Sequence, residues 1–313
     1  MLHLDARGLS AYGRLKTTKD RATPLMIPIF TSLPPRMVRT QSDGRDLGPD
    51  YLAMCVQSWR DAGSQPYTIN SQHEDLGTLP EALGVERLTT ARDAREAVGK
   101  PLVYITDFLQ TAGAVAKGPF AVVNADILVE LTEDARTRLT QLTPGECGFF
   151  NRVDIAAPTA RDGATHHLGF DLFCFHADDV ARLDADRFVL GVPWWDHFLP
   201  VVARLNGLTP ISADGIGVYH LQHDEAWDEQ LWLDYGMRCR TGARQIAAHA
   251  TAPGAAAYRK ALRHASVFSP RRPRQAGRSL LRSFSASGRR TNQTFGLYHL
   301  GRANVAFING TSE

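Results

Sequence analysis

Pro119-Phe-Ala-Val-Val-Asn-Ala-Asp-Ile-Leu-Val129 is the stretch that decides the fold. It is the clearest strand in the chain, with an apolar run from Phe120 to Val123. Asn124-Ala125-Asp126 follows directly on that run. In open α/β sheets ligands bind beyond the carboxyl ends of strands, so Asp126 is expected to project into a crevice.

Working outward, Met26-Ile-Pro-Ile-Phe-Thr-Ser-Leu33 reads as a buried strand stopped by Pro34-Pro35. Residues 50–62 have helical periodicity, with Leu52, Val56 and Trp59 on one face, Asp50 as cap and Gly63 as stop. Pro66-Tyr-Thr-Ile-Asn70 gives a second strand, residues 79–97 a broken helix, and Pro101-Leu-Val-Tyr-Ile105 a strand before a helix over 108–116. Further strands are expected over 147–155, 169–175, 210–214 and 217–221. Helices are expected over 177–183, 195–205 and the Ala-rich 237–264, which Pro253-Gly254 interrupts. Strands alternating with helices predict an α/β fold, a mostly parallel central sheet flanked by helices.

The chain of 313 residues suits one large α/β domain with an appendage. No window approaches the roughly 18 uncharged apolar residues of a membrane span, and Met1-Leu-His-Leu-Asp-Ala-Arg7 lacks the pattern of a signal peptide. A cytoplasmic location is the expectation. Cys55, Cys147, Cys174 and Cys239 are scattered, which argues for four reduced thiols rather than disulfides or structural zinc. The net charge of +2 conceals an asymmetry: residues 1–234 balance to −11 and residues 235–313 to +13. The expected organisation is a catalytic domain over 1–234 and a partly helical, basic C-terminal extension over 235–313. Within it, residues 269–290 read as a mobile arm. An acidic body with a basic tail points the tail at something anionic: a lipid surface, a phosphorylated acceptor, nucleic acid or the body itself.

Three clusters carry chemistry. Asp126 is placed to hold Mg²⁺ or Mn²⁺ against the two phosphates of a nucleotide-sugar, or else to cap a turn. In Tyr219-His-Leu-Gln-His-Asp-Glu225, His220 and His223 are candidate metal ligands that complete a mixed oxygen and nitrogen site. An extended strand would send them to opposite faces and a helical turn to one, so one of the two is expected to bind, unless both are surface or core histidines. In Gly191-Val-Pro-Trp-Trp-Asp-His-Phe-Leu-Pro200, Asp196 heads a helix as a candidate general base. Trp194 or Trp195 would stack on a sugar there, or the tryptophans are core. Asp171, an acid on the apolar strand Gly169-Phe-Asp-Leu-Phe-Cys-Phe175, calls for a ligand or for an ion pair with Arg152 or Arg161.

The order of these pieces resembles the GT-A-fold nucleotide-sugar glycosyltransferases, especially a little-described bacterial and plant group. It is carried by Phe30-Thr-Ser32, Ser58-Trp59, Tyr67-Thr-Ile-Asn70, Asn124-Ala-Asp126, Asn151-Arg-Val-Asp154, Gly169-Phe-Asp171, Gly191-Val-Pro-Trp-Trp-Asp196 and His220-Leu-Gln-His223, within residues 24–230. The resemblance implies that Thr31, Ser32, Asn70 and Asp107 line a nucleoside pocket. It puts Asp126 at the metal position of an Asp-x-Asp motif, with His220 or His223 as the later ligand, and Asp171 and Asp196 toward the acceptor. Asn124 departs from the motif: it can hydrogen-bond a ribose or base but brings no charge to a cation.

The expected function is therefore metal-assisted transfer of a sugar from a UDP- or GDP-sugar to a glycan or lipid-linked acceptor. The basic segment would tether the enzyme at the inner membrane face. Two alternatives stand beside it. A sugar-phosphate nucleotidyltransferase would open with a Gly-rich phosphate loop, which Ile29-Phe-Thr-Ser-Leu-Pro-Pro-Arg36 lacks. A non-catalytic module would be recruited to an anionic surface by the tail; no specific nucleic-acid motif is present.

Overall fold

A computed structural model describes residues 27–40, 44–185, 187–223, 228–265 and 286–310. The first half runs β1 (Ile27–Thr31), α1 (Gly48–Asp61), β2 (Ser64–Ser71), α2 (Leu79–Ala82), β3 (Glu86–Thr90), α3 (Arg95–Val98), α4 (Ile105–Ala116) and β4 (Pro119–Val123). It continues with β5 (Ile127–Leu131), α5 (Glu133–Thr140), β6 (Glu146–Phe150), β7 (Val153–Ile155), β8 (Ala164–Thr165), β9 (Leu172–His176) and a 3-10 helix (Ala177–Arg182). The remainder is α6 (Trp195–Leu205), β10 (Thr209–Pro210), β11 (Ile216–Leu221), α7 (Glu229–His249), α8 (Ala255–His264) and α9 (Ala286–Ile308).

The main sheet has the order β10-β6-β9-β4-β1-β2-β3. Only β9 runs against its neighbours, so the sheet is mostly parallel, as the alternation of elements predicts. Chain order reverses between β1 and β4, because β2 and β3 extend to one side while β4 lies on the other. That is a topological switch point, where loops diverge and leave a crevice. A second sheet, β5-β11-β7-β8, is interleaved with it in sequence and shares no strand with the first.

Burial on both faces explains why the central strand β4 is apolar throughout and its neighbour β9 nearly so. Phe120 and Val122 of β4 and Phe173 and Phe175 of β9 enter one core, together with α4 and α6. Ala121, Val123, Leu172 and Cys174 enter the other, with α1 and the second sheet. Both faces are covered, which is what a parallel sheet requires. All four cysteines are buried and free.

Several expected elements are corrected. The run Pro119 to Val129 is two strands in two sheets, parted by Asn124-Ala125-Asp126. Residues 147–155 likewise divide into β6 and β7. β3 emerges from a region read as helix, and 101–105 makes only the isolated bridge Tyr104–Val189 before α4 begins. α1 starts at Gly48, so Asp50 lies in its first turn rather than at its cap.

The sequence boundary at 234/235 falls inside the continuous helix α7. Tyr235, Cys239, Ala243, Tyr258, Leu297, Leu300 and Phe307 lie in the same core as Phe120 and Phe173. Charge composition follows the solvent-facing positions of these helices, whereas their apolar stripes complete the core. Asn304, fully buried, joins them by accepting from the Tyr258 hydroxyl at 2.6 Å and donating to Cys239 Sγ at 3.6 Å. Most of the basic arm read over 269–290 lies outside the described residues; its last part, 286–290, begins α9. Among the described residues, no helix is long and apolar enough to cross a membrane.

Candidate functional site

The site forms where the chain leaves the carboxyl ends of β1, β4 and β6. Asn124-Ala125-Asp126 follows β4, Asn151-Arg152 follows β6, and Asp171 stands just before the antiparallel β9. Backbone bonds close this edge: Asn124 N–H donates to the Asp171 carbonyl at 3.3 Å, and Asp171 N–H to the Phe150 carbonyl at 3.1 Å.

Register in the second sheet delivers His220. It pairs with Ile127 of β5 on one side and Asp154 of β7 on the other, so it sits beside the Asp126 turn. β11 ends at Leu221, and strand alternation does not continue through Gln222. Both imidazoles therefore converge, with ring centroids 5.0 Å apart, which corrects the expectation that they point to opposite faces. Asp126 Oδ2 lies 3.3 Å from His220 Nε2 and 3.9 Å from His223 Nε2. One ligand atom from each of Asp126, His220 and His223 falls within 4.8 Å of the others.

The donor set fits a divalent cation. With bonds of about 2.1 Å, neighbouring ligand atoms of one coordination sphere stand about 3 to 3.5 Å apart; His220 already has that spacing from Asp126, and His223 would close in slightly. The other nitrogen of His220, Nδ1, is 3.1 Å from Asp154 Oδ1, which fixes the ring with Nε2 toward Asp126. Arg152 Nε donates to that same Asp154 oxygen at 2.8 Å. A carboxylate behind a ligating imidazole is a recurrent feature of metal sites, and sequence reading did not assign Asp154 this part.

α1 holds the Asp126 turn in place. The Tyr51 hydroxyl donates to the Asp126 carbonyl at 3.0 Å and accepts from Leu221 N–H at 2.9 Å, tying the two halves of the cluster together. Trp59 Nε1 donates to the Ile127 carbonyl at 2.8 Å, and Ser58 Oγ accepts from Val129 N–H at 3.0 Å. Arg39, from the loop between β1 and α1, donates through Nη2 to Asp126 Oδ2 at 2.5 Å. Burial pushes the Asp126 carboxyl up. The His220 hydrogen bond and the charges of His220, Arg39 and His223 outweigh burial and hold it below the ordinary carboxylate range.

A second group of acids lies across Arg152. Arg152 Nη1 reaches Asp171 Oδ2 at 3.1 Å, while Arg161 instead pairs with Glu130. Asn124 Nδ2 donates to Asp171 Oδ1 at 2.8 Å, so its amide serves Asp171. Burial, with the nearby negative charge of Asp196, raises the Asp171 carboxyl despite Arg152. Asp196 is half-buried in the first turn of α6. A Cβ built on Gly169 would meet Asp196 Oδ2 at 2.8 Å and the His166 ring at 3.3 Å, so a side chain here would push into both. Glycine lets carboxylate and imidazole flank the Gly169 backbone. His166 escaped the sequence reading because nothing local connects it to residue 196.

Other expected positions fall elsewhere. Trp194 and Trp195 are each 4 % exposed and belong to the core, Trp195 against Phe173 and Trp194 against Trp232; neither offers a face to a sugar. Thr31 and Asn70 are fully buried. The Asn70 amide donates to the Leu33 carbonyl at 2.9 Å and to the half-buried Ser32 hydroxyl at 3.1 Å. These residues support the loop after β1 from beneath. Asp107, on α4, is bound by Arg92 at 2.7 and 3.0 Å beyond the end of β3.

No protein-family model matches this chain, and no curated protein sequence is significantly similar to it. Among solved structures, the crystal structure of HddC from Yersinia pseudotuberculosis aligns over 69% of this chain and 100% of its own. The identity is 14% and the TM-score 0.34. HddC from the same organism complexed with GMP-PN aligns over 63% of this chain and 91% of its own, at 12% identity and a TM-score of 0.34. Likeness at that level carries no functional argument.

Proposed function

We propose that the protein transfers a sugar from a nucleoside-diphosphate donor to a hydroxyl of a glycan or lipid-linked acceptor, assisted by a divalent cation. One observation carries the reading. Asp126, His220 and His223 converge beside the β1/β4 switch point, where a parallel sheet opens its ligand crevice. A cation held there would offset negative charge growing on the leaving diphosphate.

The rest of the chemistry belongs to the chain. Tyr51 and Asp154 hold Asp126 and His220 in place, so little reorganisation is needed as charge develops. Asp196, half-buried beside His166, takes the proton from the acceptor hydroxyl as that oxygen attacks the sugar. The sugar's bond to the diphosphate breaks in the same step. The basic C-terminal segment meets an anionic membrane surface, which suits a lipid-linked acceptor.

Incubation with UDP- and GDP-sugars and Mn²⁺ tests this. Release of the free nucleoside diphosphate is expected, and so is cation-dependent thermal stabilisation by UDP or GDP. At a hundredfold excess over Kd, that stabilisation is about 2.7 kcal/mol. Pyrophosphate release from a nucleoside triphosphate and a sugar phosphate would replace the proposal with nucleotidyl transfer. Failure of every nucleotide to stabilise the fold would remove both.

A further inference from the structure

We propose that Arg39 is an internal stand-in cation: its guanidinium closes the Asp126 corner in the free protein. It then leaves Asp126 for the donor's phosphate oxygens when a divalent ion enters. The inference rests on the metal-site reading above and adds to it a coupling between ion and anion.

The geometry sets up a competition for one atom. Arg39 Nη2 sits 2.5 Å from Asp126 Oδ2, the same oxygen that faces His220 Nε2 at 3.3 Å and His223 Nε2 at 3.9 Å. An ion bonded to that oxygen and to the imidazoles would meet a fixed positive charge within hydrogen-bond distance of its ligand. The two cations cannot both lie against Oδ2 without strong repulsion.

Arg39 is held so that its side chain can change partners while its backbone stays. Its N–H donates to Asp46 Oδ1 at 2.8 Å, its carbonyl accepts from Leu47 N–H at 2.9 Å, and Thr40 bridges to Asp46. Gly48 lets this loop lie directly against the start of α1; a Cβ there would come within 2.0 Å of the Met37 carbonyl oxygen. The guanidinium itself is poorly satisfied. Nη1 donates to the neighbouring Val38 carbonyl at 2.8 Å, and Nε is buried without a hydrogen-bond partner among the described residues.

A planar fork with unused donors matches two phosphate oxygens better than one carboxylate oxygen. The chemical class of its second partner is therefore a diphosphate. By linkage, an ion that frees Arg39 raises affinity for the anion, and the anion raises affinity for the ion by the same factor.

Isothermal titration of the full chain with Co²⁺, read also by cobalt visible absorption, tests the competition with and without UDP. Arg39→Gln is expected to bind Co²⁺ at least tenfold tighter than wild type without UDP. The Co²⁺–UDP synergy of the wild type is expected to shrink in this variant. Arg39→Lys, which keeps the charge and loses the fork, is expected to hold Co²⁺ as weakly as wild type while also losing synergy; it serves if Arg39→Gln fails to fold. Equal Co²⁺ affinity in wild type and Arg39→Gln, with Asp126→Asn abolishing binding, would overturn the stand-in role and leave the metal site intact. No Co²⁺ binding by any form would overturn the metal site, and the stand-in role with it.

Discussion

Asp126 and Asp171 stand on either side of Asn124-Ala125, yet their surroundings treat them in opposite ways. Asp126 is ringed by Arg39, His220 and His223 and is held below the usual carboxylate range. Asp171 is buried, faces Asp196, and is pushed above that range although Arg152 touches it. Burial raises both carboxyls; the count of nearby cations decides which way each one ends. One corner thus keeps its carboxylate charged among cations, while the other buries a carboxyl whose charged form is disfavoured. Arg152 joins them, reaching Asp154 behind His220 with one nitrogen and Asp171 with another.

The largest expected effect would separate the two corners outright. Asp196→Asn should lower kcat by roughly 10²- to 10⁴-fold, the usual worth of a positioned base. Divalent-ion affinity measured by titration should not move. A parallel loss of ion binding would mean that the corners are one unit.

Arg152→Met should destabilise the fold by about 3 kcal/mol in urea unfolding, because it leaves buried Asp171 without its counter-charge. Adding Asp171→Asn should recover part of that loss. No recovery would show that Asp154, rather than Asp171, needs the arginine.

Asp154→Asn weakens the hold on His220 and on Arg152, so ion affinity should fall roughly 10- to 100-fold, as for other groups behind a metal ligand. With the ion saturating, kcat should stay near wild type. A full loss of turnover at saturation would move Asp154 from a supporting place to the reacting atoms.

The smallest effect is in pH. The native Asp171 carboxyl lies above its unfolded value near 3.9, so the folded state binds that proton more tightly. Its contribution to stability is full below the unfolded value and declines as pH rises through the native one. Relative to Asp171→Asn, wild type should therefore lose urea midpoint on going upward from about pH 4. A difference that is flat, or that grows in favour of wild type, would contradict the raised carboxyl.

Much of the fold was legible because it rests on local patterns. The apolar run at Phe120–Val123, the stripe on α1 and the helix from Trp195 to Leu205 each report burial within a few residues. Strand ends were less legible. Nothing in Asn124-Ala125-Asp126 says that Ile127 joins a different sheet, and nothing in 79–97 separates β3 from the turns around it. In the candidate site, residues named for their chemistry alone fared unevenly. Asp126, His220 and His223 meet, while the tryptophans beside Asp196 and the pair Thr31 and Asn70 are interior. A polar or aromatic side chain looks the same in sequence whether it faces a cleft or satisfies a core.

By itself the sequence determined the kind of layer each segment could form, and that an acid would stand at the end of a buried strand. Side-chain periodicity and turn chemistry are properties of neighbours along the chain. Only tertiary structure decided that two imidazoles, His220 in β11 and His223 just past its end, close on that acid. It also decided that Arg39 competes for the same oxygen, that Arg152 bridges two acids, and that the basic C-terminal helices complete the core. Those outcomes depend on strand order and on where β11 stops. Register between distant segments is fixed by packing the whole sheet, not by any one stretch of residues.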